Sequence, residues 1–184
     1  MACQLEAVRN ENGMMGLELT TLRAVFPIPM LNVSRRILVS APRDSVQQYL
    51  SDLREIAKYE PKVSSIEIAA PAEGAAGPEA AVAGRFFGLP WHGTFRFELT
   101  QDGGYRGSMV SGPLRRMEIR MALRPVIGGT SLEHEEIYEL PLYLRPLTSL
   151  IRRWLDKTLE TELDSVKEGA EALNRRLQLQ RLDA

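Results

Sequence analysis

The sequence predicts an α+β domain in which a curved seven-stranded antiparallel sheet wraps around a long C-terminal helix, with two short helices after the first strand. Three observations support this fold class. Apolar residues recur at three- and four-residue steps from Pro146 to Leu177, which is the spacing of one helix face. Between Val63 and Leu140, alternating apolar and polar residues are interrupted by glycine- and proline-rich turns, as in consecutive hairpins. Helix signals lie between the first strand and these hairpins.

The C-terminal helix is the largest predicted element, about 45 Å long at 1.5 Å per residue. Pro146 suits its first turn, where a missing N–H group has no cost. Opposite charges three or four residues apart, such as Arg152 and Asp156, mark its outer face. A helix of this length must lie across a broad layer. Its predicted inner stripe consists of Leu147, Leu150, Ile151, Trp154, Leu155, Leu159, Leu163, Val166, Ala170, Leu173 and Leu177.

Composition excludes several classes of protein. With 184 residues and 44% hydrophobic content, the chain can bury one substantial core. A formal net charge of −1 argues against nucleic acid as the main partner. Cys3 is the single cysteine, which excludes disulfides and thiolate metal sites. Neither a signal peptide nor an apolar run of about 20 residues is visible, so we expect a cytoplasmic protein.

Two segments are predicted along the chain. Residues 1–32 lack a clean period and are interpreted as an N-terminal arm packed on the outside of the domain. Residues 33–184 form a single ligand-binding domain in this interpretation. The true start is left open between Met1 and either Met14 or Met15.

The first strand and the two short helices follow from local signals. Val33 to Ser40 alternates as a half-buried strand, with Arg35 as the exception on its apolar side. The segment from Ala41 to Asp44 opens the first helix, Ser51-Asp52 caps the second, and Pro61 ends it.

Six further strands are separated by turn residues, so consecutive hairpins build an antiparallel meander. Its apolar face needs a cover, and only the long helix is large enough. Because one helix cannot fill the concavity of seven strands, we expect enclosed space between them. The six predicted strands are Val63–Ala70, Ala80–Phe87, Trp91–Thr100, Tyr105–Ser111, Met117–Val126 and Leu132–Leu140.

The order of elements and four stretches of sequence resemble the START/Bet v 1-like (SRPBCC) superfamily, and within it the polyketide cyclase/dehydrase and lipid-transport group. The stretches are Ile37 to Val46, Ser51 to Leu53, Tyr59 to Pro61, and the Leu-Asp-Ser-Val-Lys-Glu run that starts at Leu163. The resemblance covers roughly residues 33–175 and implies a helix-grip fold. It does not select a function, because this fold carries cyclases, hydrolases, steroid and lipid carriers, and quinone-binding chaperones.

Candidate catalytic residues lie on the last strand. Period two places His134, Glu136 and Tyr138 on the face shared by Leu132 and Leu140, which indicates the inner face. A histidine–carboxylate pair could perform acid–base chemistry there, and a tyrosine hydroxyl could donate to a carbonyl. The alternative is a structural network in which these side chains bond one another or water.

Other catalytic signatures are missing from the sequence. It contains no glycine-rich phosphate loop, no G-x-S-x-G elbow and no H-E-x-x-H motif. His92 should face solvent, and neither histidine has a cysteine or second histidine at ligand spacing, so we expect no metal and no cofactor.

Three functional hypotheses remain open. The first is a non-enzymatic protein that binds or transports a hydrophobic small molecule, such as a lipid, quinone, sterol or polyketide-like compound. The second, implied by the resemblance, is a cyclase/aromatase or dehydratase, and the third is a chaperone or interaction module with a packed interior. The ligand-binding residues predicted for the cavity are Trp91, Phe95, Phe97, Met109, Met117, Ile119, Met121, Tyr138, Leu150, Trp154 and Leu155.

One end of the meander is the predicted mouth of this cavity. Alternate connections lie at the same end, so the turns at 88–90, 112–114 and 141–146 come together. They carry leucines and a tyrosine flanked by arginines, a pattern suited either to transient docking on an anionic membrane surface or to plugging the sheet from inside. The oligomeric state is not predicted.

Overall fold

The computed structural model of the chain describes residues 30–69 and 77–182 and confirms the predicted fold class. Seven strands form one antiparallel sheet in the order β1-β7-β6-β5-β4-β3-β2. The strands are β1 (Met30–Val39), β2 (Val63–Ile68), β3 (Glu79–Phe86), β4 (Leu89–Leu99), β5 (Tyr105–Ser111), β6 (Arg116–Val126) and β7 (Gly129–Glu139). The helices are α1 (Arg43–Ser51), α2 (Ile56–Tyr59) and α3 (Thr148–Leu182), with 3-10 turns at Leu53–Glu55 and Leu142–Leu147.

The first strand pairs with the last, so the sheet has β1 at one edge and β2 at the other. The chain crosses between these edges through α1 and α2, and every later strand pairs with the one before it. A two-residue connection joins β3 to β4 through Phe87 and Gly88, with φ of 50° and 81°. Two residues in this left-handed region match the right-handed twist of the flanking strands.

Several boundaries differ from the sequence prediction, among them those of β1 and α3. β1 begins at Met30, so residues 30–32 pair with β7 instead of belonging to the arm. The rest of the predicted arm, residues 1–29, and most of the loop between β2 and β3 lie outside the described residues. Helix α3 begins at Thr148 because Pro146 belongs to the preceding 3-10 turn, and it continues to Leu182.

The middle of α3 packs on the concave face of the sheet as the periodicity predicts. Leu155, Leu159 and Val166 have no exposed surface, and Leu163 keeps 1%. The start of the predicted stripe departs from the core, because Leu150 is 52% exposed. The inner faces of the strands complete the core, and β7 buries every second residue from Thr130 to Tyr138.

Polar contacts tie α3 to the edge strand β1. Arg35, the charged exception on the apolar side of β1, forms an ion pair of 2.9 Å with Glu160 of α3. The backbone N–H of Ser40 donates to Glu171 at 2.8 Å. Among the described helices, none has the combination of length and apolar character that a bilayer span requires.

Candidate functional site

A cavity of about 210 Å³ lies on the concave side of β2 to β6, beside α2. Its wall is largely apolar and aromatic, the chemistry typical of small-molecule pockets. The lining residues are Ile56, Glu60, Lys62, Val63, Val82, Phe86, Leu89, Pro90, Trp91, Phe95, Phe97, Tyr105, Met109, Pro113, Leu114, Met117, Ile119, Tyr143 and Leu144.

Six of the predicted ligand-binding residues share this wall: Trp91, Phe95, Phe97, Met109, Met117 and Ile119. Aromatic rings follow one another along it. The centroids of Trp91 and Phe95 are 6.0 Å apart, those of Phe95 and Phe97 are 6.1 Å apart, and those of Phe97 and Tyr105 are 5.9 Å apart. Flexible methionines beside such a row allow the wall to adapt to the shape of a ligand.

The other five predicted residues, Met121, Tyr138, Leu150, Trp154 and Leu155, do not line this cavity. Met121, Tyr138 and Leu155 are fully buried in the core, while Leu150 turns towards solvent. Tyr138 and Trp154 pack against the ring of Phe86. The Phe86 centroid lies 5.6 Å from the Tyr138 ring centroid and 5.2 Å from that of Trp154. Phe86 itself lines the cavity, whereas no residue of the fully described helix α3 does. The cavity therefore lies against the sheet and α2, not between the sheet and α3 as the sequence predicts.

The three candidate catalytic residues of β7 lie on the inner face, as the alternation predicts, and are fully buried. The Tyr138 hydroxyl donates to Glu136 Oε2 at 2.6 Å. His134 Nε2 lies 3.7 Å from Glu136 Oε1. None of the three lines the cavity.

Three charged residues that the sequence analysis did not select complete this cluster: Glu60, Lys62 and Glu162. The Lys62 ammonium donates to Glu136 Oε1 at 2.8 Å and lies 3.1 Å from Glu60 Oε1 and 3.6 Å from Glu162 Oε2. Glu60 and Lys62 also line the cavity, so they connect the buried cluster to it. We call Glu60, Lys62, His134, Glu136 and Glu162 the polar cluster.

Local structure places the two cavity-facing members of the polar cluster. These members are Glu60 and Lys62, and Pro61 between them ends the α2 segment. The Lys62 backbone N–H donates to Glu60 Oε1 at 2.9 Å. Lys62 then leads into β2 against Gly84 of β3, where an added Cβ would lie 1.8 Å from the Lys62 carbonyl oxygen. Glycine at position 84 therefore permits this close backbone approach.

One sequence signal could have revealed Glu162. It lies three residues after Leu159 and four before Val166, so it interrupts the apolar stripe of α3 with a charge. A charged residue on a buried face requires a partner. Glu60 and Lys62 carry no comparable signal, because they lie in a connection and not in a periodic element.

Lys62 keeps its charge despite complete burial. Burial alone would lower the pKa of its ammonium, but the carboxylate of Glu136, reinforced by the carboxyl groups of Glu60 and Glu162, outweighs burial and raises the pKa well above its ordinary value. Burial would likewise raise the pKa of Glu136, yet the Lys62 charge and the hydrogen bonds from Lys62 and Tyr138 hold that pKa below its ordinary value. These two residues form an ion pair at neutral pH.

The remaining members of the cluster favour their neutral forms. Burial raises the pKa of Glu162 to about 7, with Glu136 adding to the effect and Lys62 opposing it. Burial and the neighbouring Glu162 raise the pKa of Glu60 well above its ordinary value. Burial lowers the pKa of His134, so its imidazole is neutral at pH 7. The carboxyl groups of Glu60 and Glu162 therefore hold exchangeable protons near neutral pH.

The cluster also contains a set of possible metal ligands. Donor atoms of His134, Glu136 and Glu162 lie within 4.8 Å of one another, and all three residues are buried. A histidine with two carboxylates suits divalent transition metals. However, the Lys62 ammonium already supplies a positive charge at 2.8 Å from Glu136, so a cation would have to displace it. We therefore interpret the cluster as an ion-paired acid–base network.

The cavity meets solvent at the predicted end of the sheet. Leu89, Leu114, Tyr143 and Leu144 come from three connections and line it together. Leu89 and Tyr143 are 64% and 74% exposed, so this side of the cavity is open. Leu142 is also largely exposed beside them. The loop leucines thus divide between lining the cavity and facing solvent.

Comparison with known proteins finds one matching family model and several structures of the same fold. The family model described as polyketide cyclase/dehydrase and lipid transport matches residues 30–171. No curated protein matches the chain significantly.

Among solved structures, TTHA0849 from Thermus thermophilus is 21% identical with a TM-score of 0.66, covering 78% of this chain and 98% of that one. The ZhuI aromatase/cyclase from Streptomyces sp. R1128 is 16% identical with a TM-score of 0.66, covering 78% and 94%. A START superfamily protein from Mycobacterium smegmatis is 14% identical with a TM-score of 0.57, covering 79% and 98%. At these identities the similarity establishes the fold alone.

Proposed function

This chain belongs to the polyketide cyclase/dehydrase and lipid transport family, and from that premise we propose that it binds a hydrophobic small molecule in the cavity of β2 to β6. The observation that carries the proposal is the continuous aromatic wall that runs from Trp91 to Tyr105 inside an open cavity. Burying apolar ligand surface against such a wall supplies about 25 cal/mol per Å².

The size of the cavity limits the ligand. Pockets for drug-sized molecules usually enclose about 300–1,000 Å³, and this cavity encloses about 210 Å³. A compact ring system fills it, as does the end of an acyl or isoprenoid chain whose remainder passes out through the mouth. Polyketide-like and quinone-like head groups fit this description better than an entire sterol.

A cavity-filling substitution tests ligand binding. Met109 lines the cavity on β5, and its chain neighbour Val110 is 49% exposed. We expect Met109→Trp to weaken binding of a fluorescent fatty acid or naphthalene probe at least about tenfold, because the larger side chain occupies the ligand space. The matched control Val110→Trp should bind as the wild type does. Failure of the wild type to bind any such probe, together with ligand-free native mass spectra, would contradict the proposal.

We further propose that loading takes place at an anionic membrane surface. The apolar rim of the mouth, formed by Leu89, Leu142 and Tyr143, is largely exposed. Arginines flank this rim, although Arg115 and Arg116 are partly neutralised by Glu139 and Glu118. Apolar tips with a basic surround suit an anionic bilayer. The arginines are Arg115, Arg116, Arg145, Arg152 and Arg153.

Vesicle co-sedimentation tests docking. We expect wild-type protein to sediment with vesicles that contain anionic lipid and less with neutral vesicles. Leu142→Ser should reduce sedimentation, whereas Leu179→Ser, at an exposed site near the other end of α3, should not. Equal sedimentation of both variants and wild type would show that the rim does not contact the membrane.

A second candidate function, a cyclase or dehydratase, is favoured by one observation: Glu60 and Lys62 place acid–base groups on an otherwise apolar cavity wall. In this alternative Glu60 exchanges the proton with the substrate, while His134, Glu136 and Tyr138 position and charge-balance the cavity-facing pair. Glu60→Gln should then abolish turnover of a polyketide-like substrate while its affinity changes little. Unchanged turnover would remove this role for Glu60.

A further inference from the structure

The charge on the cavity wall is confined to one place. Among the described residues that line the cavity, Glu60 and Lys62 alone have a carboxyl or an ammonium group. A ligand whose apolar body lies against the aromatic wall can extend one polar end to this pair. The pair therefore determines which polar end the ligand can carry.

The lysine does not offer a free site for an anion. The Lys62 ammonium donates to Glu136 at 2.8 Å and lies 3.1 Å from Glu60 and 3.6 Å from Glu162, so three carboxyl groups already surround its positive charge. A ligand carboxylate would have to displace one of these groups or lie beside them.

The cluster as a whole is not positive. It contains three carboxyl groups and one ammonium, and burial keeps the pKa of His134 below its ordinary value, so the imidazole adds no charge. Burial likewise raises the pKa of Tyr59, Tyr105 and Tyr138, so these phenols stay neutral. With one proton held between Glu60 and Glu162 the net charge is −1, and with two it is zero.

The cluster also contains an acceptor without a donor. Glu162 Oε2 is buried and has no hydrogen-bond partner among the described residues. His134 does not supply that donor, although its Nδ1 lies 3.2 Å from Glu162 Oε1. A buried acceptor without a partner is unfavourable. Beside three carboxyl groups, an additional donor at the cavity end of this network is therefore favourable, and an additional carboxylate is not.

Resting on the proposed function, we propose that the Glu60–Lys62 wall receives the hydrogen-bond-donating end of an apolar ligand, a hydroxyl or an amine, and rejects a carboxylate on the same body. A hydroxyl can donate to a carboxylate and can also accept from a carboxylic acid, so it suits either protonation state of Glu60. An amine enters as a cation and is balanced by ionisation of the shared carboxyl groups.

Four probes with one aromatic body test this selectivity: methylnaphthalene, naphthalenemethanol, naphthylmethylamine and naphthoate, each substituted at the same ring position. Affinities are measured on the full chain at pH 7.5 by displacement of a fluorescent cavity probe and by calorimetry. We expect the alcohol and the amine to bind at least about tenfold more tightly than naphthoate, because the carboxylate is buried without a free partner. Desolvation penalises the naphthylmethylamine cation and the naphthoate anion alike. Tighter binding of the amine than of naphthoate therefore reports the carboxyl groups of the wall and not desolvation.

Different results identify which proposal fails. If none of the four probes binds, the proposed function is wrong. If methylnaphthalene binds but naphthoate is as tight as the alcohol, or the amine is as weak as naphthoate, the cavity binds ligands and the selectivity proposal is overturned.

A substitution of Glu60 tests whether the Glu60–Lys62 wall causes the selectivity. Glu60→Gln keeps a donor and an acceptor but removes the charge, so the preference for the amine over naphthoate should shrink about tenfold while the alcohol changes less than about threefold. The control Glu67→Gln, on the exposed side of β2, should match wild type. An unchanged preference in a folded Glu60→Gln protein would overturn the assignment. The wild-type comparison remains decisive if that variant does not fold.

Discussion

Replacement of Glu162 by glutamine should make the protein more stable relative to wild type as the pH rises, because Glu162 is buried in the polar cluster. Burial raises the pKa of Glu162 from its ordinary value of 4.5 to about 7. The folded state therefore binds this proton more tightly than the unfolded state. The resulting loss of stability is absent below pH 4.5, accumulates as the pH rises, and is complete above pH 7.

The magnitude follows from the size of the shift. Each unit of pKa corresponds to about 1.36 kcal/mol, so a rise from 4.5 to about 7 amounts to about 3 kcal/mol. Glu162→Gln cannot ionise, and its stability relative to wild type should increase by about this amount between pH 4.5 and pH 8. Loss of the Glu162 charge also relieves Glu60, whose pKa it helps to raise, and this effect has the same sign.

The difference in unfolding free energy between Glu162→Gln and wild type isolates the contribution of Glu162. His134 produces the opposite trend, because a lowered pKa makes stability fall as the pH drops below the ordinary value of 6.5, but it is present in both proteins. Urea unfolding followed by circular dichroism at half-unit pH steps measures the difference. Glu168→Gln, at an exposed site on the same helix, serves as the control. A difference that stays constant within about 0.5 kcal/mol across this range would refute the assignment of a raised pKa to Glu162.

Two other substitutions test the packing around the cavity. Lys62→Met should destabilise the protein by about 3–5 kcal/mol in chemical denaturation, because it leaves Glu136 without its counter-charge, whereas Lys58→Met on an exposed surface pair should cost less than about 1 kcal/mol. Similar losses for both lysines would mean that the Lys62 ion pair is not buried. Trp154→Ala should cost about 2–3 kcal/mol, less than the roughly 3–5 kcal/mol of a fully buried ring, because the half-buried indole packs edge-on against Phe86 and Phe87. A loss under about 1 kcal/mol would show that its contacts with these rings contribute little.

The positions of the predicted site residues agree with the structure where the prediction depended on strand and helix faces, and differ where it depended on which residues are neighbours. Six of the predicted ligand-binding residues share the cavity because β4, β5 and β6 are adjacent strands whose inward-facing residues must meet. Trp154 and Leu155 are on the inner side of α3, but Phe86 and the core occupy the space between that helix and the cavity. Periodicity cannot predict which side chain fills a particular gap.

The sequence by itself determined the order of the elements, the inner face of β7, the buried middle of α3 and the end of the sheet at which the cavity opens. These features follow from periods of 2 and 3.6 residues and from turn chemistry, which are local properties of the chain. Tertiary structure alone decided that Lys62 would meet Glu136, 74 residues away, and Glu162 on α3. That meeting depends on the crossing through α1 and α2, which carries Glu60 and Lys62 to the edge opposite β1, and on the curvature that brings β7 and α3 towards them. Charged side chains from separate elements are stable there only because burial and mutual neutralisation act together, and neither is encoded within a local window of sequence.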